Sequence, residues 1–202
     1  MKKLLAFALV AMMAGAALAE TGWMNSYVYV WDGSADTYYN LNGADQPEDF
    51  NGADLGTFEL TSTLFLNSQI NAWANGGDSY NYMSLYWRIG TSGAFTEQQD
   101  NALDNIGGND WRAITPGVDL IAAAGGAGSY VVQVYAERSH SWGGGGPYVT
   151  QLDVDGDTGG GAPDNFFQAS FDINPAPVPE PATMSLLGLG ALALALRRKM
   201  SK

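Results

Sequence analysis

Residues 80–89 read YNYMSLYWRI, and the period of that stretch decides the fold. Met83, Leu85, Trp87 and Ile89 fall on one side of an extended chain, and Tyr80, Tyr82, Ser84 and Tyr86 on the other. A repeat of two with β-branched and aromatic residues is the signature of a strand with one buried face.

The same period recurs outward from this stretch in both directions. Ser26 to Trp31 (SYVYVW) alternates tyrosine with valine. Leu55 to Leu66 (LGTFELTSTLFL) puts Phe58, Leu60, Leu64 and Leu66 together, with Thr57, Glu59, Thr61 and Thr63 opposite. Tyr130, Val132, Val134 and Ala136 share a face, as do Tyr148, Thr150, Leu152 and Val154, and again Phe167, Ala169, Phe171 and Ile173. Gly, Asp and Asn clusters separate these runs. Helical periodicity is nearly absent; only Glu97 to Ile106 offers a short helix, and it reads better as a long loop. Six or seven such strands predict an all-β protein, an antiparallel β-sandwich.

Two local patterns refine that expectation. Leu120 followed by Gly128-Ser129-Tyr130 at a strand start resembles the loop-to-strand corner of immunoglobulin- and fibronectin-like sandwiches. The resemblance implies a tyrosine hydroxyl bonded back to the preceding loop. Phe50 to Ile89, with NGADLGTF and then WANGGD, is similar to a module of secreted bacterial proteins that carry C-terminal sorting tags. That likeness implies a β-sandwich and no particular activity.

The two ends of the chain read as segments apart from the domain. Lys2 and Lys3, the apolar run Leu4 to Ala14, and Ala17-Leu18-Ala19 form a basic start, a hydrophobic stretch and a small-x-small cleavage site. Residues 1–19 are therefore expected to be a secretory signal helix, cut before Glu20. Residues 20–174 are expected to be the sandwich domain, and residues 175–202 a tail.

Charge and composition exclude several functions. Of the nine basic residues, only Arg88, Arg112 and Arg138 lie in residues 20–174, against twenty acids, a net charge of −17. Such a surface repels phosphate backbones and anionic lipid, so no nucleic-acid partner is expected. The chain has no cysteine, which removes thiol nucleophiles, thiolate metal sites and disulfides. His140 is the single histidine and reads as a loop residue before a glycine run, not as a catalytic base. Glu59 and Glu137 are the glutamates on clear strands, and outward parity accounts for both. No enzyme is expected.

Two stretches are candidates for binding. Asp153, Asp155, Asp157 and Asp164 stand at positions 1, 3, 5 and 12 of an Asp/Gly-rich segment, the spacing of oxygen ligands in a calcium loop. Calcium is the ion they would hold, although Thr158 replaces the glycine such loops need and an Asp/Gly hairpin explains the same residues. Tyr80, Tyr82 and Tyr86 share the non-core face of one strand. They are candidates for a platform on which sugar rings stack, with extracellular polysaccharide as the ligand. The general preference of strands for aromatics is the alternative.

The tail is the most specific segment. Pro175-Ala-Pro-Val-Pro179 is a stiff linker, and Ala182 to Leu196 supplies a largely apolar stretch of fifteen residues. At ~1.5 Å per residue these span ~22 Å, short of the ~30 Å hydrocarbon core of a bilayer. Arg197, Arg198 and Lys199 follow as a cytoplasmic stop. This predicts a short helix that anchors residues 182–196 in the inner membrane transiently, before removal of the tail. Val178, Pro179, Glu180 and Pro181, the short helix and the basic end together resemble a PEP-CTERM sorting signal. The resemblance implies processing by an exosortase, a membrane transpeptidase of Gram-negative bacteria, and delivery to the cell envelope, cell surface or medium. The expected role is structural or interaction-based, in the envelope or extracellular matrix; the alternative is a carbohydrate-binding module for secreted polysaccharide.

Overall fold

Extended backbone is favoured wherever valine, threonine and aromatic residues alternate with polar ones, because branched and ring side chains pack well on a pleated surface. The computed structural model describes residues 21–42, 46, 48–75, 79–100, 102–142, 145–157, 163–176 and 181–200. Within them the strands are β1 (Thr21–Trp23), β2 (Ser26–Trp31), β3 (Asp36–Asn42), β4 (Glu48–Asp49), β5 (Ala53–Glu59), β6 (Phe65–Ala74) and β7 (Ser79–Ile89). There follow β8 (Thr96–Asp100), β9 (Asp104–Gly107), β10 (Asp110–Asp119), β11 (Gly128–Trp142), β12 (Gly145–Asp153), β13 (Gly156–Asp157) and β14 (Phe167–Asn174). The expected signal segment, residues 1–19, lies outside the described residues.

The strands form two sheets. The first runs β4-β3-β2-β6-β10-β9, with β1 also pairing with β6. The second is organised on the fifteen-residue β11. One flank of β11 pairs with β7 and through it β8, while the other is shared by β14 near the start and β12 near the end. The inward faces of both sheets meet in one hydrophobic cluster. Val28, Val30, Leu66 and Ile70 come from the first sheet, and Met83, Leu85, Val132, Val134, Phe171 and Ile173 from the second. The protein is thus mostly β, a two-sheet sandwich-like body. Two pairings are parallel, β3 with β4 and β5 with β14. Period-two alternation carries no sign of strand direction, and the long chain between β5 and β14 supplies the crossover a parallel pair requires.

Three local outcomes differ from the sequence pattern. Leu55 to Leu66 is not one strand. β5 ends at Glu59, the Ser62 amide donates to the Glu59 carbonyl at 2.9 Å, and the chain leaves the second sheet to enter the first as β6. Leu60, expected in the core, is 39% exposed in that turn. Glu97 to Ile106, expected as a loop, contains β8 and β9. Both are edge strands with polar side chains, and edges need no hydrophobic alternation. His140, expected in a loop, is on β11 and buried, its ring 6.2 Å from that of Tyr80 and 5.7 Å from that of Tyr148.

The expected corner is present as a hydrogen bond. Asp119 caps the short helix Leu120–Ala124, its Oδ1 accepting from the Ile121 and Ala122 amides at 3.0 and 3.3 Å. Gly125 ends that helix at φ +75°, a left-handed conformation that favours glycine. The chain then turns into β11, where the Tyr130 hydroxyl donates to the Gly126 carbonyl at 3.1 Å. Leu120 is fully buried beneath it.

The C-terminal helix, Pro181–Met200, is twenty residues long and runs through the basic cluster, with Arg197 and Arg198 exposed. Among the described residues, no helix is long and apolar enough to cross a membrane.

Candidate functional site

The outer face of the second sheet gathers most of the chemistry. Its rungs follow from register. Glu97 of β8 faces Tyr86 of β7, which faces Tyr135 of β11. One rung along, Gln99, Ser84, Glu137 and Gln151 form a row across β8, β7, β11 and β12. The Tyr86 and Tyr135 rings stack at 4.7 Å with an interplanar angle of 6°.

Glu137 is the centre of this face. Parity does place it outward, yet it is only 7% exposed. Its Oε1 accepts from the Tyr82 hydroxyl at 2.8 Å and the Tyr86 hydroxyl at 3.3 Å, and its Oε2 accepts from Gln151 Nε2 at 2.8 Å. Ser84 Oγ donates to Glu97 Oε1 at 2.9 Å. A buried carboxylate is tolerable only with donors converging on it, and these three supply them. Burial, with the nearby Glu137 and Glu97 charges, pushes the Tyr82 and Tyr86 phenols well above their ordinary range. The same causes push Tyr135 up to about 12. Ionising a phenol here would put a third negative charge beside two carboxylates, so the hydroxyls stay protonated and donate.

A roof covers one end of this face. Phe95 packs edge-on against Tyr135 at 5.0 Å and lies tilted against Phe166 at 4.7 Å. The Arg88 guanidinium lies 4.3 Å from the Phe95 ring centre and 5.0 Å from that of Phe166. Arg88 also donates to Gln133 Oε1 from Nε and Nη2, at 2.9 and 2.7 Å, and to the Gly93 and Thr91 carbonyls at 2.8 and 3.1 Å. It pins the 90–95 turn over the sheet. A cation held between aromatic faces and carbonyls in this way is a strong local clamp.

Of the three tyrosines named as a platform, the structure brings together two. Tyr82 and Tyr86 share the outer face, their hydroxyls occupied by Glu137. Tyr80 turns to the interior, 9% exposed, where its hydroxyl donates to the Trp73 carbonyl at 2.7 Å and its ring meets Trp111 edge-on at 6.4 Å. The cause is a bulge. Ser139 pairs with Tyr82 but His140 pairs with Tyr80, so Asn81 is an extra residue. One inserted residue reverses the side on which every later side chain emerges. Asn81 itself stays exposed and donates to Ser139 and Ser141 Oγ, each at 3.2 Å.

The acidic loop is held largely by its own first residue. Asp153 is buried, its Oδ1 accepting from the Asp155 amide at 2.9 Å and its Oδ2 from the Asp164 amide at 3.3 Å. Asp155 Oδ1 accepts from Asn165 Nδ2 at 3.2 Å. Asp153, Asp155 and Asp164 are thus joined by one network, whereas the Asp157 side chain and residues 158–162 lie outside the described residues. Among the described residues, no group of three or more acidic or histidine side chains is arranged to hold a metal ion.

Of the tail residues, Val178, Pro179 and Glu180 lie outside the described residues, as do the side chains of Pro181 and Lys199. Arg197 and Arg198 occupy the last turns of the C-terminal helix, where positive charge suits the helix dipole. Residues 177–199 match the PEP-CTERM protein-sorting motif family. The chain carries a PEP-CTERM sorting signal. It is therefore an exosortase-sorted protein of the cell envelope or the extracellular space, with exosortase as its processing partner. No curated protein matches the chain significantly.

The sequence pattern missed the residues that build the outer face of the second sheet. Phe95 with Glu97, Tyr135, and Phe166 come from three separate parts of the chain and meet only through the pairing of β7, β8 and β11 and the loops beside them. The one available signal was Arg88, a rare cation in an acidic domain.

Proposed function

We propose that the sandwich is a non-catalytic interaction domain, displayed in the envelope or extracellular matrix of a Gram-negative bacterium. The observation that carries this reading is the sorting motif at residues 177–199, which follows β14 after only a proline-rich linker. The chemistry of the second sheet's outer face supports it. Its buried carboxylate is occupied by donors that fix side chains in place, which suits a rigid scaffold and not a reacting group. Among sandwiches, we read the body as immunoglobulin- or fibronectin-like, supported by the Tyr130 to Gly126 hydrogen bond.

The test is fractionation of a tagged chain in an exosortase-producing host. The wild type is expected to lose its tail and reach the outer envelope or medium. A chain with Pro179, Glu180 and Pro181 replaced by alanine is expected to keep its full mass and stay with the inner membrane. Identical distribution of the two overturns the reading. For the acidic loop we keep calcium as a proposal. It predicts a melting temperature lowered by EGTA in the wild type and unchanged by EGTA in Asp155→Ala.

A further inference from the structure

The outer face of the first sheet differs chemically from the rest of the surface. β2 presents Tyr27, Tyr29 and Trp31 there, and β6 presents Asn67 and Gln69. Tyr38 of β3 completes the group. Register lines them up in rows. Tyr38 faces Tyr29, which faces Asn67, and in the next row Tyr27 faces Gln69. The Tyr29 and Tyr38 rings stack at 5.4 Å and 27°, with the Tyr27 ring edge-on to Tyr38 at 5.6 Å.

Rings and amides on this face are already oriented. The Tyr27 hydroxyl donates to Gln69 Oε1 at 2.8 Å, and Gln69 Nε2 donates to Asn71 Oδ1 at 3.2 Å. Side chains held by one another lose little further freedom when a ligand arrives. Trp31 and Tyr38 are each 38% exposed, so ring surface is open to solvent. No hydrogen bond engages the Tyr29 or Tyr38 hydroxyl among the described residues.

The charge pattern selects the ligand. The Tyr38–Tyr29–Asn67 and Tyr27–Gln69 rows carry no acid or base, and Asp36 stands opposite Trp31 in the outermost row. At the other end Arg112 is neutralised by Asp104 at 2.8 Å. Around this neutral strip the domain carries its net −17, which repels polyanions and disfavours a second copy of the same chain. A protein partner would want a dry apolar centre, whereas here Asn67 and Gln69 stand beside the Tyr29 and Tyr27 rings at the centre of the face, with Phe65 beside Trp31 and Ile114 beside Gln69 at its sides. A ligand with apolar C–H faces and many uncharged hydroxyls fits both components.

We propose that this face binds a neutral polysaccharide, laid across β3, β2 and β6 with sugar rings on Tyr29, Tyr38 and Trp31. Asn67 and Gln69 then hydrogen-bond its hydroxyls. The proposal rests on the reading of the chain as an exterior interaction protein and names its partner.

Affinity electrophoresis of the purified full-length protein in mild detergent tests it, in gels containing hydroxyethylcellulose, galactomannan, dextran or alginate. Retardation by a neutral polymer and not by polyanionic alginate is expected. Tyr29→Ala with Tyr38→Ala is expected to weaken the interaction about tenfold or more, the scale of losing well-packed rings. Tyr86→Phe, on the opposite face, is expected to leave it unchanged. Should the double variant melt early, Tyr38→Ala alone supplies the same comparison, since it removes only an exposed ring. No retardation by any neutral polymer, or equal retardation of wild type and Tyr38→Ala, overturns the proposal. A chain that is sorted correctly yet never retarded leaves the interaction-domain reading standing and removes only this ligand.

Discussion

Both outer faces of the sandwich are rich in tyrosine, and they use it in opposite ways. On the second sheet, Tyr82 and Tyr86 direct their hydroxyls onto the buried Glu137, while Phe95, Phe166 and Arg88 roof one end of the face. On the first sheet, Tyr29 and Tyr38 stack beside Asn67 and Gln69 with ring surface open to solvent. A face that points away from the core is therefore not yet a binding face. What decides is whether neighbouring loops close over it and whether its polar groups are already occupied. By that measure the first sheet presents its side chains and the second immobilises them.

The largest expected effect lies at Glu137. Replacing it with alanine leaves two tyrosine hydroxyls and the Gln151 amide without their acceptor in a buried setting. The expected cost is about 2–4 kcal/mol, read from the urea midpoint at pH 7. Glu137→Gln retains the shape and one acceptor oxygen, and is expected to lose about half as much. A cost within about 0.5 kcal/mol for the alanine variant would mean that the second face is as open as the first.

Alkaline pH separates the faces next, by degree. Burial raises the Tyr27 and Tyr29 phenols on the first face as well, and the shifts are larger on the second, where the Glu137 and Glu97 charges add to burial. Tyr82, Tyr86 and Tyr135 have folded pKa values above the ordinary value of about 10, because burial and the Glu137 and Glu97 charges oppose ionisation. A raised folded value means that the unfolded chain releases these protons first. Their stabilising contribution is thus complete below pH ~10 and declines as pH rises through the folded values. Stability is expected to fall steeply above pH ~10, and absorbance titration is expected to show late-ionising tyrosines. Tyr86→Phe should make the fall shallower. An unchanged slope would show that the hydroxyls on Glu137 contribute nothing to it.

The smallest effect is expected at Tyr38. Tyr38→Ala removes an exposed ring that stacks on Tyr29, and the stability derived from the urea transition should fall by no more than about 0.5 kcal/mol. A larger loss would make the open face part of the stabilising structure and erase the contrast with Glu137.

The fold was largely legible because alternation reports burial directly. Phe167, Ala169, Phe171 and Ile173 were expected to share a face, and all four are buried on β14. Tyr130 was expected to bond back to its loop and does. The pattern failed where one residue changes parity or where strands lie at an edge. Asn81 is an extra residue that reverses Tyr80, and nothing in the alternation announces a bulge. Thr61 and Ser62 continue the alternation of β5 in letters while the backbone turns at Leu60. β8 and β9 have polar sequences because an edge strand has little to bury.

The sorting signal and the acidic charge were determined by sequence alone, since both are properties of local order and composition. A proline-rich linker, a short apolar helix and a basic end act in series along the chain and need no tertiary context. The aromatic faces were decided only by the tertiary structure. Which tyrosines meet a glutamate and which meet solvent depends on strand register and on loops from distant parts of the chain. Local residue type carries no information about either.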